Sequence, residues 1–330
     1  MKKIILLGFA AMVLLACSRK NDSESGGGGD DPGTIIPELP FDQLPATQAS
    51  FNVAGQTTYV NVMENNRKSL PTFPALKKIA NKAIGYVKDS YGRPLKNASI
   101  GISSSIVGGG STPAFGVTNE KGYYEISIPF GEAYYYNAGY TIDYEGSRGA
   151  MGLYPADGEM SASFASANGE VKNFVLLPYG KGAPDEVASD PWDPNNYFGG
   201  SLTLSWMLRD GSLPPEGSLP IGMVFEVKLT PLALVHAAEK KTITIRKTVE
   251  FTTLRIVNIP LGKYKVEIHT SNGTAMKMQQ TGINRRPEYG LNPTSATGSA
   301  TYTMIPTSAD SKRVTPFRGA WDEVGITIKL

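Results

Sequence analysis

Cysteine and histidine are scarce in this sequence: its 330 residues include one cysteine and two histidines. The single thiol, at Cys17, excludes an internal disulfide and leaves the chain beyond it without a cysteine nucleophile. The sequence also lacks a Gly-x-Ser-x-Gly motif and a glycine-rich phosphate loop after a strand. Because these signatures are missing, we expect no enzymatic activity and no cofactor.

Charge of one sign is not concentrated in any part of the chain. Lys and Arg number 32 against 30 Asp and Glu, which gives a net charge of +2, and no basic block is interleaved with aromatic residues. We therefore expect no nucleic-acid partner. No window after the N-terminus has a long helical period, whereas 36 glycines, 23 prolines and 16 tyrosines are typical of short strands joined by turns.

The two histidines do not make a convincing metal site. His236 and Glu239 have the His-x-x-Glu spacing of zinc carboxypeptidases, but zinc needs about three converging protein ligands. The other histidine, His269, falls on the lysine-rich face of its predicted strand, and the chain shows no βαβ alternation. A zinc carboxypeptidase is therefore a remote alternative, as is a glycosidase whose two carboxylates meet only in the fold.

The N-terminus carries the one long apolar run. Two lysines precede an almost wholly apolar stretch at residues 4–16, which has the length of a signal-peptide core and is too short for a stable transmembrane anchor. The residues around Cys17, LLAC, resemble the lipobox of bacterial lipoproteins. The resemblance implies that residues 1–16 are removed and that Cys17 is acylated, which anchors the protein to a membrane. The alternative is a secreted protein whose cysteine is accidental.

Residues 17–83 are predicted to form a lipidated tether and a partly ordered lead-in. The polar stretch 18–33, with four consecutive glycines, cannot bury enough apolar surface to fold. Its early acidic residues, Asp22 and Glu24, resemble the signal that sends lipoproteins of some Gram-negative bacteria to the outer face of the outer membrane. Prolines interrupt residues 35–83, which we expect to be extended.

Strand–turn–strand patterns begin at residue 84, first in IGYVKDSYGRPLKNASIGI and then in GVTNEKGYYEISIPFG. Turns are predicted at 89–92 and 119–122, where glycine is free to adopt a positive φ. Twelve residues, in the same order along the chain, resemble the carboxypeptidase regulatory-like domain. They are Gly85, Val87, Asp89, Gly92, Pro94, Leu95, Ala98, Ile100, Thr118, Gly122, Tyr124 and Ile126. The resemblance covers residues 84–178 and implies a transthyretin-like β-sandwich that is not itself a peptidase.

A second strand-rich block covers residues 200–330. Leu202, Leu204 and Trp206 alternate with polar residues, and the chain ends on a similar alternation at 324–330. Residues 179–199, rich in proline and acidic side chains, are predicted to be a linker. We therefore predict an all-β protein with two transthyretin-like or Ig-like β-sandwiches in tandem after the lipidated tether.

Aromatic residues are the candidate ligand-binding groups. The stretch GEAYYYNAGYTIDYEG is longer than the family's usual hairpin, and Tyr134, Tyr136, Tyr140 and Tyr144 fall on one parity of its predicted strand. Flat tyrosine rings can stack on sugar rings, so these residues are candidates for glycan binding. The alternative is that they fill the sandwich core.

The predicted linker holds two further candidate groups. Trp192, Tyr197 and Phe198 form an aromatic cluster at the domain junction, where ligand clefts are common, although packing between the domains is the simpler explanation. Asp185, Asp190 and Asp193 are weak calcium candidates because they supply hard oxygen ligands. Their spacing does not match an EF-hand loop, and a solvated acidic linker is the simpler interpretation.

Together these observations predict a non-catalytic, lipid-anchored outer-membrane protein that faces the cell exterior. We expect a binding or adhesion module whose partner is a glycan or another cell-surface protein. The alternative is a structural pilus subunit assembled by strand donation, because anchored fimbrial proteins of some Gram-negative bacteria also combine a lipobox with two such sandwiches.

The lipid anchor can be tested by replacing Cys17 with Ser. Without the thiol there is no acyl chain, so the protein should move from the membrane fraction to the soluble fraction of detergent-free extracts. Immunoblots of both fractions provide the measurement. Unchanged membrane fractionation of Cys17→Ser would contradict lipidation.

Overall fold

The computed structural model describes residues 33–64, 66–105, 109–159, 162–184, 187–209, 211, 214–236, 238–282, 287–314 and 317–330. The predicted signal peptide, Cys17 and Asp185 lie outside these ranges. Regular structure within them consists of β-strands and short 3-10 turns at Phe41–Gln43, Ser166–Asn168 and Pro194–Asn196. The predicted all-β class is confirmed. In this part of the chain, no helix is long and apolar enough to cross a membrane.

Two strands precede the first sandwich, β1 (Ala46–Val53) and β2 (Tyr59–Asn61). The first sandwich follows with ten strands: β3 (Lys82–Asp89), β4 (Ser99–Ser105), β5 (Ser111–Val117), β6 (Tyr123–Ser127), β7 (Glu132–Tyr144), β8 (Ser147–Gly152), β9 (Tyr154–Pro155), β10 (Phe164–Ala165), β11 (Glu170–Val171) and β12 (Phe174–Leu176). One sheet has the order β11-β3-β12-β9, with β6 also paired to β3. The other has the order β10-β7-β4-β5, with β8 paired to β7.

The two predicted turns of this sandwich are confirmed. The Asp89 carboxylate accepts the backbone N–H groups of Tyr91 (2.9 Å) and Arg93 (3.0 Å), and Gly92 has a φ of 84°. Asn119 accepts in the same way from residue 121, and Gly122 has a φ of 70°. Side-chain oxygens that bond the backbone ahead of them favour turns, which explains why these sequences end a strand.

Large aromatic rings fill the space between the two sheets. Phe174 lies 5.6 Å from Tyr135 in an edge-to-face arrangement and 6.4 Å from Tyr124. The buried Tyr124 hydroxyl donates to the carbonyl of Lys172 at 2.6 Å. A buried hydroxyl without such an acceptor would cost about 1–3 kcal/mol, so this bond makes the tyrosine compatible with the core.

The second sandwich contains β13 (Gly200–Ser205), β14 (Leu208–Arg209), β15 (Leu219–Pro220), β16 (Val224–Leu234), β17 (Lys240–Thr248), β18 (Thr253–Ile259), β19 (Gly262–Thr270), β20 (Lys277–Gln280), β21 (Gly290–Asn292), β22 (Ser295–Thr297), β23 (Ser299–Thr303), β24 (Ile305–Pro306), β25 (Trp321–Asp322) and β26 (Val324–Lys329). Its sheets have the orders β1-β17-β16-β19-β23-β21 and β2-β18-β13-β26-β20-β22. Trp206 is buried against Phe225 at 5.3 Å, as its alternation with leucines predicts.

The lead-in differs from the partly ordered segment expected within residues 17–83. β1 runs parallel to β17 from Ala46 opposite Lys240 to Val53 opposite Lys247, and β2 runs parallel to β18. β1 and β2, joined by a short connection, therefore lie at the edges of the two different sheets of the second sandwich. The buried Lys247 ammonium fixes this connection by donating to the carbonyl of Thr57 at 2.8 Å.

The two sandwiches are in direct contact along a seam formed by residues 308–314. Ser311 shares a 2.9 Å hydrogen bond with Ser99, and its carbonyl accepts from Asn137 at 3.2 Å. A side chain at Gly139 would overlap that carbonyl, so glycine allows this approach. The predicted linker 179–199 is not solvated throughout: Gly180 N–H donates to Asn258 at 2.8 Å, and Tyr197 and Phe198 are buried.

The role of the lead-in can be tested at Met63, a buried residue just after β2. Met63→Ala should lower the free energy of unfolding by about 2–5 kcal/mol, as the loss of a large core side chain does. Asn52→Ala, at an exposed position of β1, is the control and should stay within about 0.5 kcal/mol of the parent. Denaturant titration of both variants provides the measurement. Equal stability of the two would show that the lead-in is not part of the core.

Candidate functional site

The outer face of the β10-β7-β4-β5 sheet carries the candidate site. Its central strand, β4, directs Ile100 and Ile102 into the core and places Ser99, Gly101 and Ser103 on the outer face. These three small residues leave room above the strand. The neighbouring strands β5 and β7 contribute larger side chains to the same face.

A β-bulge divides the tyrosines of β7 between the two faces. Gly101 is opposite Asn137 and Ile102 is opposite Tyr135, so Tyr136 is the extra residue. An extra residue reverses the alternation beyond it. Tyr134 before the bulge is 44% exposed, whereas Tyr144 after it is 4% exposed. The expectation that the four tyrosines share one face is therefore wrong.

Phe115 of β5 and Tyr136 of β7 close over Gly101. Their ring centroids are 5.5 Å apart at an interplanar angle of 82°, and Phe115 is 53% exposed. A Cβ on Gly101 would lie 3.0 Å from the Tyr136 ring and 3.1 Å from the Phe115 ring, so glycine lets both rings approach the strand. Burial raises the pKa of Tyr136, and the nearby Tyr134 phenol adds to this effect.

We call the surface formed by Phe115, Val117, Tyr134 and Tyr136 the aromatic face. Val117 is 53% exposed and lies on β5 opposite Ser99 of β4. The face is thus a rigid strand surface with apolar rings and one exposed phenol. Exposed apolar groups gathered in one patch often mark an interaction site.

The other two candidate tyrosines have different surroundings. Tyr144 stacks on Tyr289 at 5.8 Å and packs edge-on against Trp321 at 5.1 Å. Burial raises its pKa far above the usual range. Tyr140 is half-buried, and burial followed by the charge of Asp89 raises its pKa. Tyr144 therefore belongs to the junction between the sandwiches, and neither ring is part of the aromatic face.

The junction aromatics do not form one surface either. Tyr197 is buried and its hydroxyl donates to the carbonyl of Pro191 at 2.7 Å, while Phe198 packs on Tyr154 at 5.9 Å. Trp192 is 37% exposed and lies 6.0 Å from Tyr59 of β2. Two of the three rings thus serve packing, and Trp192 alone is open to solvent among them.

The described calcium candidates have local structural roles. Asp193 caps a 3-10 turn, because its carboxylate accepts the N–H of Asn195 at 2.9 Å. The Asp190 carbonyl accepts from the Asn196 amide at 2.9 Å. Within the described ranges, no three His, Cys, Asp or Glu side chains are grouped closely enough to hold a metal ion.

No family model matches this chain, and no curated protein matches it either. The shaft pilin spaA from Lactobacillus rhamnosus GG is 11% identical, with 76% of this chain and 98% of the pilin covered and a TM-score of 0.20. An adhesin from Mobiluncus mulieris is 12% identical, with coverages of 71% and 84% and a TM-score of 0.21. A 9R-lipoxygenase from Cyanothece PCC8801 is 18% identical over 37% of this chain, which spans 20% of the lipoxygenase, with a TM-score of 0.16. Scores this low carry no argument about function.

Sequence reasoning missed Phe115 and the glycine beneath it. The available signal was the alternation of small residues in SIGISSS, which predicts a strand face that large neighbours must cover. The bulge left no comparable signal, because its extra residue is defined only by the pairing with β4.

Because Tyr144 is buried and Tyr134 is exposed, replacing each by alanine should affect stability to very different extents. Tyr144→Ala should lower the free energy of unfolding by about 3–5 kcal/mol, because it removes a buried aromatic ring. Tyr134→Ala should change it by less than about 0.5 kcal/mol, because that ring is largely in solvent. Thermal and denaturant unfolding measure both. A large loss in Tyr134→Ala would contradict its placement on the outer face.

Proposed function

We propose that this protein is a non-catalytic, lipid-anchored surface protein whose aromatic face binds glycan. The observation that carries the proposal is the pair of rings formed by the exposed Phe115 and the half-buried Tyr136, with centroids 5.5 Å apart above Gly101. Aromatic rings offer large contact areas and lose little conformational entropy on binding, which suits the flat apolar faces of sugar rings.

Polar groups beside the rings complete the chemistry. Tyr134 contributes an exposed phenol, and the half-buried Tyr136 ring carries a second hydroxyl. Hydroxyl groups donate and accept hydrogen bonds, so they match the hydroxyls of a carbohydrate. Because the rings are fixed by a sheet with a packed core behind it, the surface needs little rearrangement to bind.

The anchoring part of the proposal comes from the N-terminal sequence. A lipobox cysteine at position 17 followed by a polar, glycine-rich stretch would hold the folded body away from the outer membrane on its exterior side. A binding module on such a tether can reach large soluble or cell-bound glycans.

A structural pilus subunit is the second candidate function. The position of β1 at the edge of its sheet, next to β17, favours it, since an edge strand from a distant segment is the kind of element that subunits exchange. The C-terminal strand offers less support, because β26 lies between β13 and β20 and completes its own sheet. Electron micrographs of native cells labelled for this chain distinguish the two, since a pilus subunit must appear in filaments.

Glycan binding can be tested on an array with residues 33–330. Phe115→Ala and Tyr136→Ala should each weaken binding to the best glycan by about tenfold, or ~1.4 kcal/mol. Phe115→Ala, which removes an exposed ring, should change the melting temperature little. Phe130→Ala is the matched control, because Phe130 is 77% exposed and is not part of the aromatic face. The proposal fails if the array shows no binding, or if the two face variants bind as well as the control.

A further inference from the structure

A cavity of about 300 Å³ lies where three separate segments meet. The lead-in contributes residues 38–41 and Leu44, the first sandwich contributes Tyr91, and the turn between β16 and β17 contributes His236 and Ala238. No residue of the aromatic face takes part. Small-molecule sites commonly lie at such junctions, and this volume is at the lower end of their range of about 300–1,000 Å³.

The polar end of the cavity is held in place by ionic contacts. Arg93 donates to the buried carboxylate of Asp89 at 2.6 Å and also pairs with Glu38, which lines the cavity. Tyr91 is buried, with the Lys68 ammonium 4.8 Å from its ring centroid. The Arg93 contacts therefore position the Glu38 carboxylate at the cavity, beside the buried Tyr91 ring.

His236 supplies the third polar group. Its φ of 37° is unusual for a residue other than glycine, and such backbone strain is often found at functional sites. Burial lowers the pKa of His236, although Glu38 and Asp89 act in the opposite direction. At neutral pH the ring is then uncharged and presents one donor and one acceptor.

The remaining wall is apolar. Leu39, Phe41 and Leu44 line it from the lead-in, and Leu234 lines it from the end of β16. The Lys240 ammonium lies 4.5 Å from the Phe41 ring centroid. Arg93 neutralises Glu38, while the Lys68 and Lys240 ammonium groups lie against the Tyr91 and Phe41 rings. The cavity therefore combines hydrogen-bonding groups and an apolar wall with two cations at its margin.

We propose that this cavity binds a neutral, polyhydroxylated ring of monosaccharide size. A carboxylate, a phenol and a neutral imidazole can bond to hydroxyls, and the Phe41 wall can receive the C–H face of the ring. A neutral ring needs no counter-charge from the lining residues, since Arg93 and Glu38 neutralise each other. The site goes beyond the aromatic face: it is a second, separate site whose ligand would join the lead-in to both sandwiches.

Isothermal titration of residues 33–330 with methyl glycosides of neutral hexoses tests this site. At least one glycoside should bind saturably and raise the melting temperature, because a ligand that binds only the folded state stabilises it. Lysine methyl ester and inorganic phosphate serve as charged probes and should not bind.

Four variants locate the binding. His236→Gly suits the positive φ and removes the ring, and Leu234→Trp fills the cavity; both should weaken binding by at least about tenfold, or ~1.4 kcal/mol. His269→Ala, which changes the other histidine, and the double variant Phe115→Ala/Tyr136→Ala should bind as the parent does. The proposal is overturned if no neutral glycoside binds, if only charged probes bind, if His236→Gly binds normally, or if the double variant loses binding. The last result would assign the glycoside to the aromatic face. The cavity proposal would then fail while glycan binding by the aromatic face would stand.

Discussion

Parallel pairing of residues 46–53 with residues 240–247 is the contact on which the rest of the structure depends. It brings a segment from the N-terminal side of the chain to the edge of the second sandwich, and β2 then reaches the opposite sheet. Backbone groups at a sheet edge need partners or water, and β1 supplies those partners to β17. With β1 fixed, the preceding residues 38–44 run alongside Tyr91 and the β16–β17 turn, and the cavity lined by Glu38, Tyr91 and His236 lies between them.

The seam between the sandwiches determines which part of the first sandwich stays open. Residues 308–314 cover the end of the outer face near Ser99 and Gly139, where small side chains permit close contact. Farther along the same strands, Gly101 lies under the exposed Phe115 ring and the half-buried Tyr136 ring. One pattern of small residues therefore serves two purposes, namely packing at one end and an exposed aromatic surface at the other.

Local chemistry made part of this fold predictable. The turns at Asp89 and Asn119 depend on side-chain oxygens and glycines that stand next to each other in sequence, and Trp206 reveals its burial by alternation. The remaining features depend on distant partners. β1 pairs with residues almost two hundred positions away in the sequence. The bulge at Tyr136 is set by the pairing of β7 with β4, so the odd or even position of a β7 tyrosine did not reveal which face of the sheet it occupies.

Hydrogen exchange of residues 33–330, followed by mass spectrometry, tests most directly whether the lead-in is a true strand of the second sandwich. Amides that a sheet holds in hydrogen bonds exchange only when that part of the structure opens. We expect the amides of β1 that face β17 to exchange as slowly as those of β17 itself. Exchange of residues 46–53 at the rate of an unstructured peptide, with β17 still protected, would contradict the account.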